Sequence, residues 1–118
     1  MLFRSEMILD FNTMPDLTWS NFRGGENNTT ARMYKDTRNQ IMFLKLEPGA
    51  SMGIYNHEHS TEMIYLLQGT ATATFDGVEE ELLPGMCAYC PEGHSNSVKN
   101  TGKEDLIFLS VVSRFKEK

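Results

Sequence analysis

Cysteine is nearly absent from this chain: Cys87 and Cys90 are the only two. On an extended strand their odd separation sends the two side chains to opposite faces, which argues against a mutual disulfide. A redox pair at this spacing wants a helix N-terminus, and none is predicted around it. Zinc would want further thiolate or imidazole pairs at finger-like spacing. Positive charge is also scarce. The net charge is -5 with a pI near 5.1, and the one basic stretch is the short tail from Arg114 to Lys118. A surface that neutralises phosphates needs more than that, so no nucleic-acid partner is expected. No apolar run approaches the ~20 residues that span a bilayer, so no membrane partner is expected either. The N-terminal MLFRSEMILDF is interrupted by Arg4, Glu6 and Asp10, unlike a secretory leader, and a cytoplasmic location is the expectation. Without a secretory context, the sequons at Asn27 and Asn28 read as accidental.

Helix-length apolar periods are missing as well, whereas turn signals are regular. Gly69, Gly77, Gly85, Gly93 and Gly102 follow one another at 8, 8, 8 and 9 residues. Short strands at that spacing predict an all-β sandwich or barrel. Asp76-Gly77 suits a tight hairpin, whose two central residues need positive φ. Thr70 to Phe75 alternates, with Ala71, Ala73 and Phe75 on one face and three threonines on the other. Glu79, Glu80 and Glu81 read as a charged edge strand rather than a catalytic cluster. Further strands are expected at Thr29 to Tyr34, Gln40 to Leu46 and Leu106 to Val112. Ile41 to Leu44 is apolar on both faces, so that strand should be central or at an interface. Eight methionines suggest soft-metal chemistry at first, but Met33, Met42 and Met63 sit in apolar strands, where methionine fills irregular gaps. With 118 residues the chain reads as one domain, residues 26–118, preceded by an arm, residues 1–25, with one or two short strands.

The chemistry concentrates between Gly49 and Gly69 (GASMGIYNHEHSTEMIYLLQG) and between Gly85 and Asn100. All three histidines fall there, at His57, His59 and His94. If His57 and His59 share a strand, the period of two points both imidazoles to one face. A turn after Ser60 would then fold Glu62 back towards them, and imidazole with carboxylate is a common way to hold a first-row metal.

These stretches resemble the two motifs of the cupins. The first motif reads G, five residues, H-x-H, three or four residues, E, six residues, G, and falls on Gly49, Tyr55, His57, Glu62 and Gly69. The second reads G, five residues, P-x-G, two residues, H, three residues, N, and falls on Gly85, Pro91, Gly93, Asn96 and Asn100. The resemblance implies an all-β, cupin-type jelly-roll β-barrel, with a metal held by three histidines and a glutamate. Here Tyr55 and Asn96 stand at two of the histidine positions, and only His57 and Glu62 stand at ligand positions unchanged.

Three readings of the site follow. The family positions Tyr55, His57, Glu62 and Asn96 could form a weak metal site or a hydrogen-bonding pocket. A shifted site could use His57, His59, Glu62 and His94, since His59 and His94 each lie two residues from a family position, in one spatial direction. The third reading is a binding module or structural dimer without metal. Functionally, the resemblance implies a divalent-metal enzyme (Fe, Mn, Ni or Zn) of dioxygenase, isomerase or decarboxylase type acting on a small polar metabolite. In that enzyme Glu62 would be ligand or base and Tyr55 an acid or orienting donor. The alternative is a sensor or carrier that binds a small molecule without turnover. A homodimer is expected from the surplus of apolar strand surface.

Overall fold

The structure, a computed structural model, describes residues 7–115; the first six residues of the expected arm lie outside it. Ten strands form: β1 (Leu17–Ser20), β2 (Asn28–Lys35), β3 (Asn39–Leu46), β4 (Ser51–Asn56), β5 (Ser60–Gln68), β6 (Ala71–Phe75), β7 (Val78–Leu82), β8 (Cys87–Cys90), β9 (Ser95–Asn100) and β10 (Leu106–Arg114). They pair into a six-stranded sheet, β1-β2-β3-β10-β5-β8, and a four-stranded sheet, β4-β9-β6-β7. From β3 onwards the chain passes repeatedly from one sheet to the other, which is the jelly-roll path. The two sheets face each other without a continuous ladder between them, so the jelly roll is open rather than a closed barrel.

Alternation along the strands builds the core. Met42, Leu44 and Leu46 of β3, Ile64 and Leu66 of β5, and Leu106, Phe108 and Val112 of β10 point inward from the large sheet. Met52, Ala71, Ala73 and Val98 meet them from the small one. The strand apolar on both faces, β3, lies between β2 and β10 in mid-sheet, as its sequence predicts. The glutamate-rich strand is β7, an edge with its first four residues exposed. Asp76 and Gly77 both adopt positive φ between β6 and β7. On β8, Cys87 faces out and Cys90 in, and both are free thiols. Burial and the negative charges of Glu62 and Asp76 push the Cys90 thiol up to about 11, so it stays protonated and unreactive at neutral pH.

The motif asparagine Asn100 is structural. Its buried amide donates to the carbonyls of Leu46 and Glu104, 2.8 Å each, and its Oδ1 accepts from the Gly102 amide. It thereby satisfies backbone groups where β9 turns towards β10.

Candidate functional site: a buried polar cluster between the sheets

A bulge prepares the site. Met52 pairs with Val98, but Tyr55 pairs with Asn96, so β4 spends three residues where β9 spends two. Simple alternation would put Met52 and Tyr55 on opposite faces; the extra residue brings both to the inner side. Tyr55 thus stands opposite Asn96, and the ring centroids of Tyr55 and His57 lie 4.9 Å apart.

β4 ends at Asn56 and β5 begins at Ser60, so His57 and His59 do not lie on a strand. The turn falls on the histidines themselves rather than after Ser60, and His59 has a φ of 59°. Strand alternation therefore does not govern the pair. His57 is fully buried, held by backbone bonds to His94 (3.0 Å) and Gly93 (2.9 Å). His59 faces outward, with Nδ1 3.7 Å from Glu92. His94 also faces outward and bonds Asp76. The structure thus brings together Tyr55, His57, Glu62 and Asn96, and leaves His59 and His94 on the rim against other carboxylates.

Glu62 is the hub. Its Oε1 accepts from Asn96 Nδ2 at 3.0 Å, from Arg23 Nη1 at 3.0 Å and from His57 Nε2 at 3.2 Å. Its Oε2 accepts from Ser110 Oγ at 2.5 Å. Burial alone would push this carboxyl up, but the His57 bond, the Arg23 charge and the bonds from Arg23 and Ser110 outweigh it and hold it down at about 2. His57 Nε2 also lies 3.0 Å from Asn96 Oδ1. With two acceptors facing it, Nε2 is the donor, and Nδ1 lies 3.1 Å from Ser60 Oγ.

Arg23 and Ser110 belong to neither motif. Ser110 has a signal: it interrupts the inward row Leu106, Phe108, Val112 with a hydroxyl. Arg23 has almost none, a lone cation before Gly24-Gly25 in an arm of scattered apolar residues. Its position depends on close backbone packing. A Cβ on Gly25 would lie 2.0 Å from the Ser51 carbonyl oxygen, and one on Gly53 2.0 Å from the Arg23 carbonyl oxygen. The arm can lie this close to β4 only because both residues are glycine. Arg23 itself has a φ of 54°, and its guanidinium carbon sits 4.4 Å from the Tyr55 ring centre and 5.1 Å from that of Phe22. Phe22 in turn stacks on Trp19, centroids 4.6 Å apart. A wide groove on the outer face of the small sheet, about 720 Å³ and walled by Thr72, Thr74, Ser97 and Lys99, adjoins Arg23 from the other side.

A family model for the cupin domain matches residues 42–112. The chain is a cupin. Among its relatives, an oxalate-binding protein of Thermotoga maritima is 32% identical over 100 residues, covering 79% of this chain and 82% of that protein. A solved structure described as a predicted oxalate decarboxylase from Thermotoga maritima superposes with a TM-score of 0.87 at 27% identity, covering 92% of this cupin and all of that chain. A sugar phosphate isomerase from Silicibacter pomeroyi superposes with a TM-score of 0.75 at 20% identity over 91% of this cupin and 75% of that chain, a likeness of fold alone.

The divalent ion that the resemblance implies does not suit the donors present in this cupin. Tyr55 offers a phenol oxygen, a poor donor to a metal ion while it keeps its proton, and Asn96 offers a neutral carbonyl already engaged with His57. The ionised donor, Glu62, is committed to a guanidinium. Among the described residues no three of His, Cys, Asp and Glu converge closely enough to hold one ion.

Proposed function

We propose that this cupin binds a small organic carboxylate without a divalent metal and without turnover, at the mouth where Arg23 and Tyr55 meet. The observation that carries this reading is the placement of Arg23. Glu62 and the Tyr55 ring hold the guanidinium in place, and its bonds among the described residues use one of its five N–H groups. A carboxylate can meet the remaining fork with both of its oxygens. Tyr55, at 37% exposure, opens this edge of the cluster to solvent. The oxalate-binding relative supports the same ligand class.

The metal-enzyme reading that cupins invite would use Glu62 as base and Tyr55 as acid. Glu62 is poorly suited to take a proton near neutral pH, because its carboxyl is held at about 2 with both oxygens already accepting. In the reading proposed here it anchors Arg23. Tyr55 orients the guanidinium through its ring face.

The assembly proposed is a homodimer formed through the outer face of the six-stranded sheet. Phe43, Leu109 and Tyr65 stand side by side there, as do Ile41, Val111 and Met63. Tyr89 continues the second row. Such a row of neighbouring apolar side chains is the kind of surface that a two-fold contact covers.

Titration calorimetry in chelator-treated buffer tests the ligand. Saturable binding of oxalate, or of a monocarboxylate such as formate, is expected, unchanged when divalent ions are added. Binding that appears only with an added metal ion, or no binding of any small carboxylate, would overturn the reading.

A further inference from the structure

We infer that Arg23 is the resident cation of this cupin, supplying the positive charge at Glu62 that a bound divalent ion would otherwise supply and keeping such an ion out. The inference stands apart from the carboxylate reading: it concerns what lies against Glu62, and an oxalate titration that fails leaves it intact.

The geometry points to it on three counts. First, a carboxylate this deeply buried needs a cation, because an unpaired ionised group in the interior is costly. Glu62 has that cation 3.0 Å away from its own chain. Second, Arg23 is built in rather than swung in. Its backbone lies against β4 where only glycine fits at positions 25 and 53. The Glu26 carbonyl accepts from the Ser51 amide at 2.9 Å, and the Glu26 amide donates to Ser51 Oγ at 2.9 Å. With its backbone docked and its guanidinium over Tyr55, the side chain has little freedom to leave. Third, the donor set is consistent with that occupancy. A divalent ion beside a fixed guanidinium would meet like charge at short range, with Glu62, among the described residues, the one carboxylate against Arg23 to offset both. The neutral Asn96 instead bridges His57 and Glu62 through its two amide atoms. A second imidazole in its place would add a metal donor and lose that bridge.

Cobalt(II), whose visible absorption reports its coordination, is a suitable probe. Four proteins are compared in chelator-treated buffer: wild type, Asn96→His, Arg23→Met/Asn96→His and Arg23→Lys/Asn96→His. Methionine keeps an apolar stem against Tyr55 without the charge, and lysine keeps the charge. The expected result is tight cobalt binding in the Arg23→Met double variant alone, at least about 100-fold tighter than in Asn96→His, since a ligand set is completed only there. Without metal, Arg23→Met/Asn96→His should melt at least ~10 °C below Asn96→His, as expected when a buried pair is broken. Cobalt should restore most of that loss. The lysine double variant should stay free of cobalt and melt closer to Asn96→His.

Three results would overturn the inference. One is wild type, purified without chelator or histidine tag, carrying a stoichiometric divalent ion whose removal lowers its melting temperature. Another is Asn96→His binding cobalt as tightly as the Arg23→Met double variant. The third is an Arg23→Met double variant that folds and takes up no more cobalt than wild type. Should that variant not fold, cobalt binding by Asn96→His or by the lysine variant decides: tight binding in either sinks the inference, and none in both supports it.

Discussion

Histidine meets carboxylate in two very different places in this molecule. Between the sheets, His57 and Glu62 are both fully buried, bond each other and share Asn96, with Ser60 completing His57 and Arg23 and Ser110 completing Glu62. On the rim, His94 bonds Asp76 and His59 faces Glu92, about half exposed in every case. The residue types are the same, so the difference in consequence comes from solvent. Water screens the rim pairs and would solvate either partner left alone, whereas the interior offers no substitute for a lost donor.

The comparison is broken most directly at its hub. Glu62→Ala leaves Arg23, Asn96 and Ser110 without their acceptor in the interior and should cost about 3–5 kcal/mol in urea unfolding. A cost below ~1 kcal/mol would mean that water reaches the cluster.

The pH profile is the next largest effect. The Glu62 carboxyl is held at about 2 in the folded protein against 4.5 ordinarily. A carboxyl lowered in this way stabilises the fold fully above its unfolded pKa, and the contribution drains as the unfolded state takes up its proton first. Stability should therefore fall between about pH 4.5 and pH 2, and Glu62→Gln should flatten that fall. Asp76 is lowered too, by His94 first and then the Ser95 amide, but with its carboxylate in solvent it should contribute little to the profile.

Ser110→Ala tests one spoke. Removing a hydroxyl that donates to a buried carboxylate should cost about 1.5–3 kcal/mol. The smallest effect belongs to the rim: His94→Ala should leave the melting temperature within about 1 °C of wild type. A larger loss there would erase the contrast between rim and interior.

These contrasts also mark what the sequence could tell. The strands, the hairpin at Asp76-Gly77 and the outward and inward cysteines follow from alternation and turn chemistry, which act over a few residues. So do the family positions, because motif spacing carries Tyr55, His57, Glu62 and Asn96 to one place. Alternation did not extend to His59, because β4 stops at Asn56 and the two histidines sit in the turn. Arg23 reaches Glu62 across 39 positions of sequence. No periodicity spans that distance, and only the fold of the arm against β4 makes the contact. Ser110 lies between these cases, visible as a lone hydroxyl in an apolar row but without a partner until the sheet is assembled.

The close fit of Gly25 against Ser51 and of Gly53 against Arg23 has a consequence for engineering. Residues 22–25 and the bulged start of β4 form one module split across two parts of the gene. Transplanting the arginine loop into another jelly roll would have to carry glycine at the β4 position with it, because any side chain there would lift the loop and draw the guanidinium away from its carboxylate. Libraries that diversify either segment alone would recover mostly failures, and the useful variants would come from recombining the two together.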